Sequence, residues 1–181
     1  HSFDDFFTGG NPGASWDDLF GAFRSSRYSR PFVIKSHIVL TLEEIYNGSM
    51  KTFSLDNQVV SFPVPKTTRP GEVLRVKMES SQELHMTVSM AQHPIFTLSG
   101  DDLHTVIDVP VRTALIGGIV KAPTLGSNIN LTIPPNTCSH SKLRARNSGL
   151  HTSHMSRGSI VYEVKINTKN VSPSLTEFLK R

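Results

Sequence analysis

His93-Pro94-Ile95-Phe96-Thr97-Leu98-Ser99-Gly100-Asp101-Asp102-Leu103 sits near the middle of a chain that otherwise reads as strands. The stretch holds a proline, a turn-permitting glycine and two adjacent carboxylates, a composition that interrupts regular strand pairing. The same order of landmarks is found on both sides of it. The stretch is therefore expected to be a joint between two β-modules.

Upstream, residues 36–42 alternate in polarity and are rich in β-branched side chains, as a half-buried strand requires. Thr41-Leu42-Glu43-Glu44-Ile45-Tyr46-Asn47-Gly48 then offers one helical turn, with Thr41 and Glu44 as a capping box and Gly48 as its stop. Residues 51–55 and 59–65 follow as strands, Arg69-Pro70-Gly71-Glu72 as a turn, and residues 73–76 and 84–88 as further strands. Downstream, residues 105–111 read as a strand and Arg112-Thr113-Ala114-Leu115-Ile116-Gly117-Gly118 as a helical turn ended by glycine. Lys121-Ala122-Pro123 answers Lys51-Thr52-Phe53, and Ile133-Pro134-Pro135-Asn136 answers Val64-Pro65-Lys66. Leu143-Arg144-Ala145 answers Leu74-Arg75-Val76, and residues 160–164 answer the strand at Leu84. Seventy residues separate Gly48 from Gly118 and sixty-nine separate Leu74 from Leu143. An offset this steady over several landmarks marks a tandem repeat.

The expected fold class is mostly β: two tandem β-sandwich-like modules of similar topology, each with one short helix, and a short C-terminal helix. The expected divisions are 1–31, 32–103 with the joint at 93–103, 104–172 and 173–181. In 1–31, Phe3-Asp4-Asp5-Phe6-Phe7 is echoed by Trp16-Asp17-Asp18-Leu19-Phe20, each placing aromatics on one face of a short helix. Gly9-Gly10-Asn11-Pro12-Gly13 between them cannot continue a helix. These pieces read either as docking elements on a flexible tether or as a cover packed on the main body.

Composition narrows the function. The 181 residues are 37% hydrophobic and 19% charged, ordinary for a globular protein. No apolar run is long enough to span a membrane and no signal peptide is visible, so no membrane partner is expected. The chain opens at His1 without Met, as expected of a piece of something longer. One cysteine, Cys138, excludes an internal disulfide framework and fits a reducing compartment, where the three Asn-X-Ser/Thr triplets carry no meaning. The formal charge of +4 is spread along the chain. Only Arg24, Arg27 and Arg30 cluster, beside Tyr28, so nucleic acid is not expected as a partner, whereas an acidic peptide suits such a surface. Cys138-Ser139-His140 with His151-Thr152-Ser153-His154 could be imagined as a zinc set. The spacing inside each pair differs from a zinc finger and both fall in loops, so no metal or cofactor is expected. No nucleophile elbow, phosphate loop or paired acid constellation points to an enzyme.

Several motifs, taken in order, resemble the C-terminal substrate-binding region of the J-domain (DnaJ) co-chaperones. They are Leu42-Glu43-Glu44-Ile45-Tyr46-Asn47-Gly48, His93-Pro94-Ile95-Phe96, Gly100-Asp101-Asp102-Leu103 and Ala114-Leu115-Ile116-Gly117-Gly118. Lys121-Ala122-Pro123-Thr124-Leu125, Leu131-Thr132-Ile133-Pro134, Arg146-Asn147-Ser148-Gly149-Leu150 and Arg157-Gly158-Ser159-Ile160 complete the series. The resemblance covers residues 32–181, and residues 1–31 resemble the end of the Gly/Phe-rich linker. Phe3-Asp4-Asp5-Phe6-Phe7 is similar to the linker helix that folds back on the J-domain in some members. The four CxxCxGxG motifs of the zinc-containing type cannot be built from one cysteine, so the chain resembles the zinc-free second type. His93-Pro94-Ile95 is not the His-Pro-Asp signature of a J-domain.

The resemblance implies a homodimeric, cytoplasmic co-chaperone of the stress response, with the nucleus also open to it. It implies binding of unfolded client polypeptides, and of the acidic Glu-Glu-Val-Asp tail of the seventy-kilodalton heat-shock chaperone, in an apolar groove of the first module. The matching positions are Ser36, Ile38, Phe53, Leu55 and Phe96, and Ser36 makes one end shallower than an aliphatic residue would. From alternation alone these residues read as core rather than groove, and the resemblance reverses that balance. Lys51 matches a tail-anchoring cation, whereas Ser54 and Thr97 stand where relatives carry cations. Leu175, Phe178 and Leu179 form the apolar stripe through which relatives dimerise. From the residues alone, a generic two-module β scaffold and a metal-dependent hydrolase remain as other classes.

Overall fold

The computed structural model describes residues 32–79, 81–169 and 171–180. The readings of 1–31, of the triplet at Asn170 and of Arg181 lie outside the described residues.

In the first half, β1 (Phe32–Leu40) runs parallel to β5 (Gln82–Met90), which pairs antiparallel with β4 (Val73–Lys77). The order in this sheet is β1-β5-β4. Strands β2 (Met50–Leu55) and β3 (Gln58–Pro63) form a separate hairpin. Its two-residue turn places both Asp56 and Asn57 at positive φ, 46° and 65°, the geometry whose twist matches the flanking strands. Between β1 and β2 lies α1 (Leu42–Asn47). The capping box forms: the Thr41 hydroxyl accepts from the Glu44 amide at 3.2 Å, and the Glu44 carboxylate accepts from the Thr41 amide at 2.9 Å. A helix of this length is not stable alone. Burial of Leu42 and Ile45 holds it, each contributing about 1.5–3 kcal/mol.

The second half repeats the plan. Strand β6 (Thr97–Ser99) pairs with β7 (Asp102–Pro110), and α2 (Val111–Ile116) follows. Next come the hairpin of β8 (Gly118–Ala122) and β9 (Ile129–Ile133), then β10 (Lys142–Ala145) and β11 (Ile160–Asn167). The sheet order is β10-β11-β7-β6, with β11 parallel to β7 as β5 is to β1. A last helix, α3, spans Pro173–Leu179. Small contacts repeat as well. The Thr68 hydroxyl donates to the Pro65 carbonyl at 2.7 Å, and sixty-nine residues on, the Thr137 hydroxyl donates to the Pro134 carbonyl at 2.5 Å. Sixty-nine residues separate Val73 from Lys142, but seventy-eight separate Gln82 from Ile160. The surplus lies in the loop 146–159.

The joint departs from the sequence expectation in one respect. Instead of interrupting pairing throughout, Gly100-Asp101 makes a two-residue hairpin turn, with Ser99 opposite Asp102 and Gly100 at φ 62°. Glycine first in the turn is a recognised hairpin solution, so the residue types taken for a break connect two strands instead. The segment without strand or helix shrinks to residues 91–96.

The loop 146–159 folds back onto this hairpin. A Cβ on Gly158 would collide with the Asp101 carbonyl, so only glycine fits there. The Gly149 amide donates to the Gly158 carbonyl at 2.9 Å, and the Ser159 amide donates to Asp102 Oδ1 at 2.7 Å. The first half is tied in by Arg69, whose Nε and Nη2 donate to Asp101 Oδ1 at 3.1 and 2.9 Å. Its Nη2 also donates to the His151 carbonyl at 2.7 Å. Tyr46 of α1 packs against the His151 ring and carries Arg157 at 4.8 Å over its face. The buried residues of both halves, Phe96 included, form one hydrophobic cluster. Within it Tyr162 is fully buried, donates to the Pro123 carbonyl at 2.6 Å, and has its phenol pushed up to about 12 by burial.

Arg69→Ala should therefore cost about 2 kcal/mol, the scale of hydrogen bonds to a charged group. Urea denaturation checks the cost. Small-angle scattering should show a wider spread of module orientations than in the parent chain.

Candidate functional site

The alternation of β1 turns Ile34, Ser36, Ile38 and Leu40 towards the core and leaves Val33, Lys35, His37 and Val39 outside. In β2 the same period turns Lys51, Phe53 and Leu55 inward, half-buried, and exposes Met50, Thr52 and Ser54. Phe53 lies opposite Val60 and Leu55 opposite Gln58. Ile38, Phe53 and Leu55 are all partly buried residues packed against the central cluster. Both strands are edges: β1 ends its three-stranded sheet, and β2 has only β3 beside it. A free edge next to half-buried apolar side chains is the template that an added strand uses.

Phe96 is placed differently. It is 4% exposed, part of the core, and bounds a cleft of about 350 Å³ with Leu42, Pro70, Met90, His93 and Leu98. None of the four strand positions lines that cleft. His93 sets the local turn. Its Nδ1 accepts from the Ile95 and Phe96 amides at 3.1 and 3.0 Å, so the ring proton sits on Nε2, which meets Glu43 at 2.7 Å. Burial opposes ionisation of Glu43, but its backbone hydrogen bond and His93 outweigh this and hold its pKa below the ordinary value. Sequence reasoning missed the His93–Glu43 contact. A histidine directly before Pro-X-Phe was the available signal.

Lys51, the expected tail anchor, is already paired, with Nζ 2.5 Å from Glu44 Oε1. Glu44 is held below the ordinary carboxylate value by Lys51 and Thr41 against the opposing effect of burial. Ser54 and Thr97 are exposed. In α3, capped by Ser172, Phe178 and Leu179 are exposed and Leu175 is half-buried. Leu175 and Phe178 bound a cleft with Leu115 and Ile116 of α2, which widens the expected apolar stripe. The imagined zinc set does not assemble. His140 pairs with Glu163 at 3.0 Å while His151 lies beside Tyr46, and among the described residues no cluster suited to a metal ion occurs. No helix among the described residues is long and apolar enough to cross a membrane.

The family model of the DnaJ C terminal domain matches residues 34–169. The chain belongs to that family. This DnaJ C-terminal region is 35% identical over 154 residues to chaperone protein DnaJ 2 of Thermus thermophilus, covering 82% of this chain and 54% of the relative. It is 25% identical over 178 residues to chaperone protein DnaJ 2 of Synechocystis, covering 94% and 58%. It is also 28% identical over 201 residues to a curved DNA-binding protein of Pseudomonas putida, covering 91% and 59%. The chain thus spans little more than half the length of these curated relatives.

His151 gives this DnaJ C-terminal region a pH signature. Burial lowers its pKa below 6.5, and Arg157, Lys66 and Arg69 lower it further. The unfolded imidazole then binds more protons than the folded one just below that value. Stability should accordingly fall as pH drops from 6.5 through the lowered folded value. The carboxylates Glu43, Glu44 and Asp102 add their own loss only below their ordinary values of 4.5, 4.5 and 3.8. Urea midpoints at about pH 7.5 and about pH 5.5 should differ in the parent chain and converge in His151→Asn.

Proposed function

We propose that this region binds extended apolar segments of unfolded polypeptides by strand addition beside β2, as the client-binding part of a co-chaperone rather than as an enzyme. The supporting observation is a free strand edge that carries half-buried Phe53 and Leu55, with Ser36 and Ile38 turned inward on a second edge strand and Ile38, Phe53 and Leu55 all packed against the same core cluster. Main-chain bonds supply affinity without sequence demand, and alternate side chains enter the apolar side. Such a site accepts many sequences, which suits an unfolded chain. Delivery of the client to the seventy-kilodalton heat-shock chaperone is part of this reading, as are a cytoplasmic location and the zinc-free type. The modules are taken as 32–103 and 104–172, with β6 and the first residues of β7, inside the joint, already paired into the second sheet. A homodimer through Leu175, Phe178 and Leu179 would give two grooves for one client, with avidity set by their spacing. Phe96 acts through the position of the joint. Tail anchoring at Lys51 competes with Glu44 for the same ammonium group.

Phe53→Asp should abolish suppression of aggregation of a denatured client while the thermal midpoint falls by no more than a few degrees. Suppression equal to the parent chain would sink the reading. Phe53→Ser, which introduces no charge, should give an intermediate loss and covers the case of an unfolded aspartate variant.

A second reading is favoured by one arrangement and by the relatives named as curved DNA-binding proteins. On the outer face of the β1-β5-β4 sheet, Lys35, His85 and Arg75 lie side by side in register, with Lys77 nearby and Glu83 the one carboxylate in these three strands. Under this reading the face neutralises duplex phosphates, so binding would fall steeply with salt. Lys35→Glu combined with Arg75→Glu would then abolish gel retardation of duplex DNA. The leading reading excludes nucleic acid and expects no retardation by the parent chain.

A further inference from the structure

A cleft of about 510 Å³ lies where the two halves meet, between residues 47–48 and 64–67 on one side and residues 151–154 on the other. Small-molecule sites have volumes of about 300–1,000 Å³, and this cleft falls among them. No carboxylate lines it. Groups able to donate hydrogen bonds do: Lys66, the rings of His151 and His154, the Asn47 amide, and the hydroxyls of Thr67 and Ser153. The stem of Lys66 lies across Gly48, where an added Cβ would come within 3.1 Å of its Cγ. Lys66 makes no ion pair among the described residues. Its charge is nonetheless felt on the other side of the cleft. Burial lowers the pKa of His151 first, and Arg157, Lys66 and Arg69 lower it further. Arg69 is held by Asp101, but Arg157, stacked over Tyr46, makes no ion pair among the described residues. His151 Nδ1 is buried and has no hydrogen-bond partner.

The internal repeat supplies a control. Sixty-nine residues on from Gly48 and Lys66 stand Gly117 and Pro135, in the same mutual arrangement, with an added Cβ on Gly117 3.3 Å from Pro135 Cδ. The packing over the glycine is therefore retained without a charge in the second half. Packing alone does not require the lysine.

The mixture of donors indicates the ligand. One free ammonium group stands among two imidazoles, two hydroxyls and an amide, drawn from both halves. The two oxygens of a carboxylate would leave several of these groups unmet. A phosphoryl group presents three strong acceptor oxygens and a charge of about −1.5 to −2, and lysine serves such a group as a point charge. Val64 and Pro65 add an apolar wall on which the rest of a small ester can lie. We propose that this inter-module cleft is a phosphoryl-binding site, which takes phosphate, free or as the monoester of a small molecule, between Lys66 of the first half and His151 and His154 of the second. A ligand held from both sides ties the halves together at the place where Arg69 already reaches the His151 carbonyl. The proposal does not depend on the strand edge at β2 or on the basic sheet face, since neither includes Lys66, His151 or His154.

Titration of inorganic phosphate into the folded chain tests it, with sodium chloride holding the ionic strength constant. At ten times the dissociation constant the thermal midpoint should rise by about 3–6 °C, because the ligand binds only the folded chain. The imidazole resonances of His151 and His154 should shift along the same titration. Lys66→Met keeps an apolar stem across Gly48 but removes the charge, and should weaken phosphate about tenfold or more. Lys66→Arg should retain most of the affinity and shows that the site tolerates substitution when charge is kept. Lys35→Glu combined with Arg75→Glu should leave the phosphate response unchanged, which separates this cleft from the basic sheet face. Adenosine monophosphate and adenosine distinguish the sources. Tighter binding of the monophosphate than of inorganic phosphate assigns the cleft to a small ester, equal binding assigns it to free phosphate, and adenosine itself should have no effect. A midpoint that does not respond to phosphate, or a response that survives Lys66→Met, overturns the proposal. So do imidazole resonances that stay in place, and so does acetate that acts as well as phosphate at equal concentration.

Discussion

The contact of the Gly158 backbone with the Asp101 carbonyl is the constraint on which the rest of the structure depends. It presses the long loop of the second half onto the hairpin that follows the joint. With that loop in place, Asp102 can accept from Ser159, and His151 can offer its carbonyl to Arg69. Arg69 then binds the first half to the same spot through Asp101. A Cβ added at Gly158 is not tolerated, because the atoms it would meet first are those of the Asp101 backbone carbonyl, which has no flexible side chain to give way.

Charge is organised around the same junction. Among the described residues Lys51, Arg69 and Arg144 each meet a carboxylate, and one of these carboxylates also shapes the chain, as Glu44 caps α1 while holding Lys51. At the inter-module cleft Lys66, Arg157 and the two histidines have no such counterweight. Burial lowers the pKa of His151 first, and repulsion from Arg157, Lys66 and Arg69 lowers it further. The counterpart of Lys66 is a neutral proline, so the second half avoids that repulsion.

Much of the fold was legible in the sequence because its signals are local. Thr41 and Glu44 sit three residues apart and cap one turn wherever that turn is placed, and the structure keeps both bonds. The alternation in β1 and β2 assigned Ile38, Phe53 and Leu55 to one side of their strands. The near-constant offset between Gly48 and Gly118, or Leu74 and Leu143, exposed the repeat. Less legible was Gly100-Asp101, where one set of residue types serves equally as a break or as a tight hairpin turn. Pairing with Leu103 and His104 decided between them. Phe96 was likewise ambiguous, since an aromatic after a proline can line a groove or fill a core, and burial to 4% followed from what packs around it.

By itself the sequence determined the class of fold, its duplication, the helix caps and the side of each strand that turns inward. Each depends on spacings of two to four residues, or on an offset that can be counted. Only the tertiary structure decided that β1 lies parallel to β5 and β7 to β11, and that Arg69 reaches Asp101. It alone showed Lys51 neutralised by Glu44 while Lys66, fifteen positions on, is left unpaired beside His151. The physical reason is that burial and charge compensation are properties of groups brought together from distant positions. Their strength depends on distances of a few ångströms that no local pattern encodes.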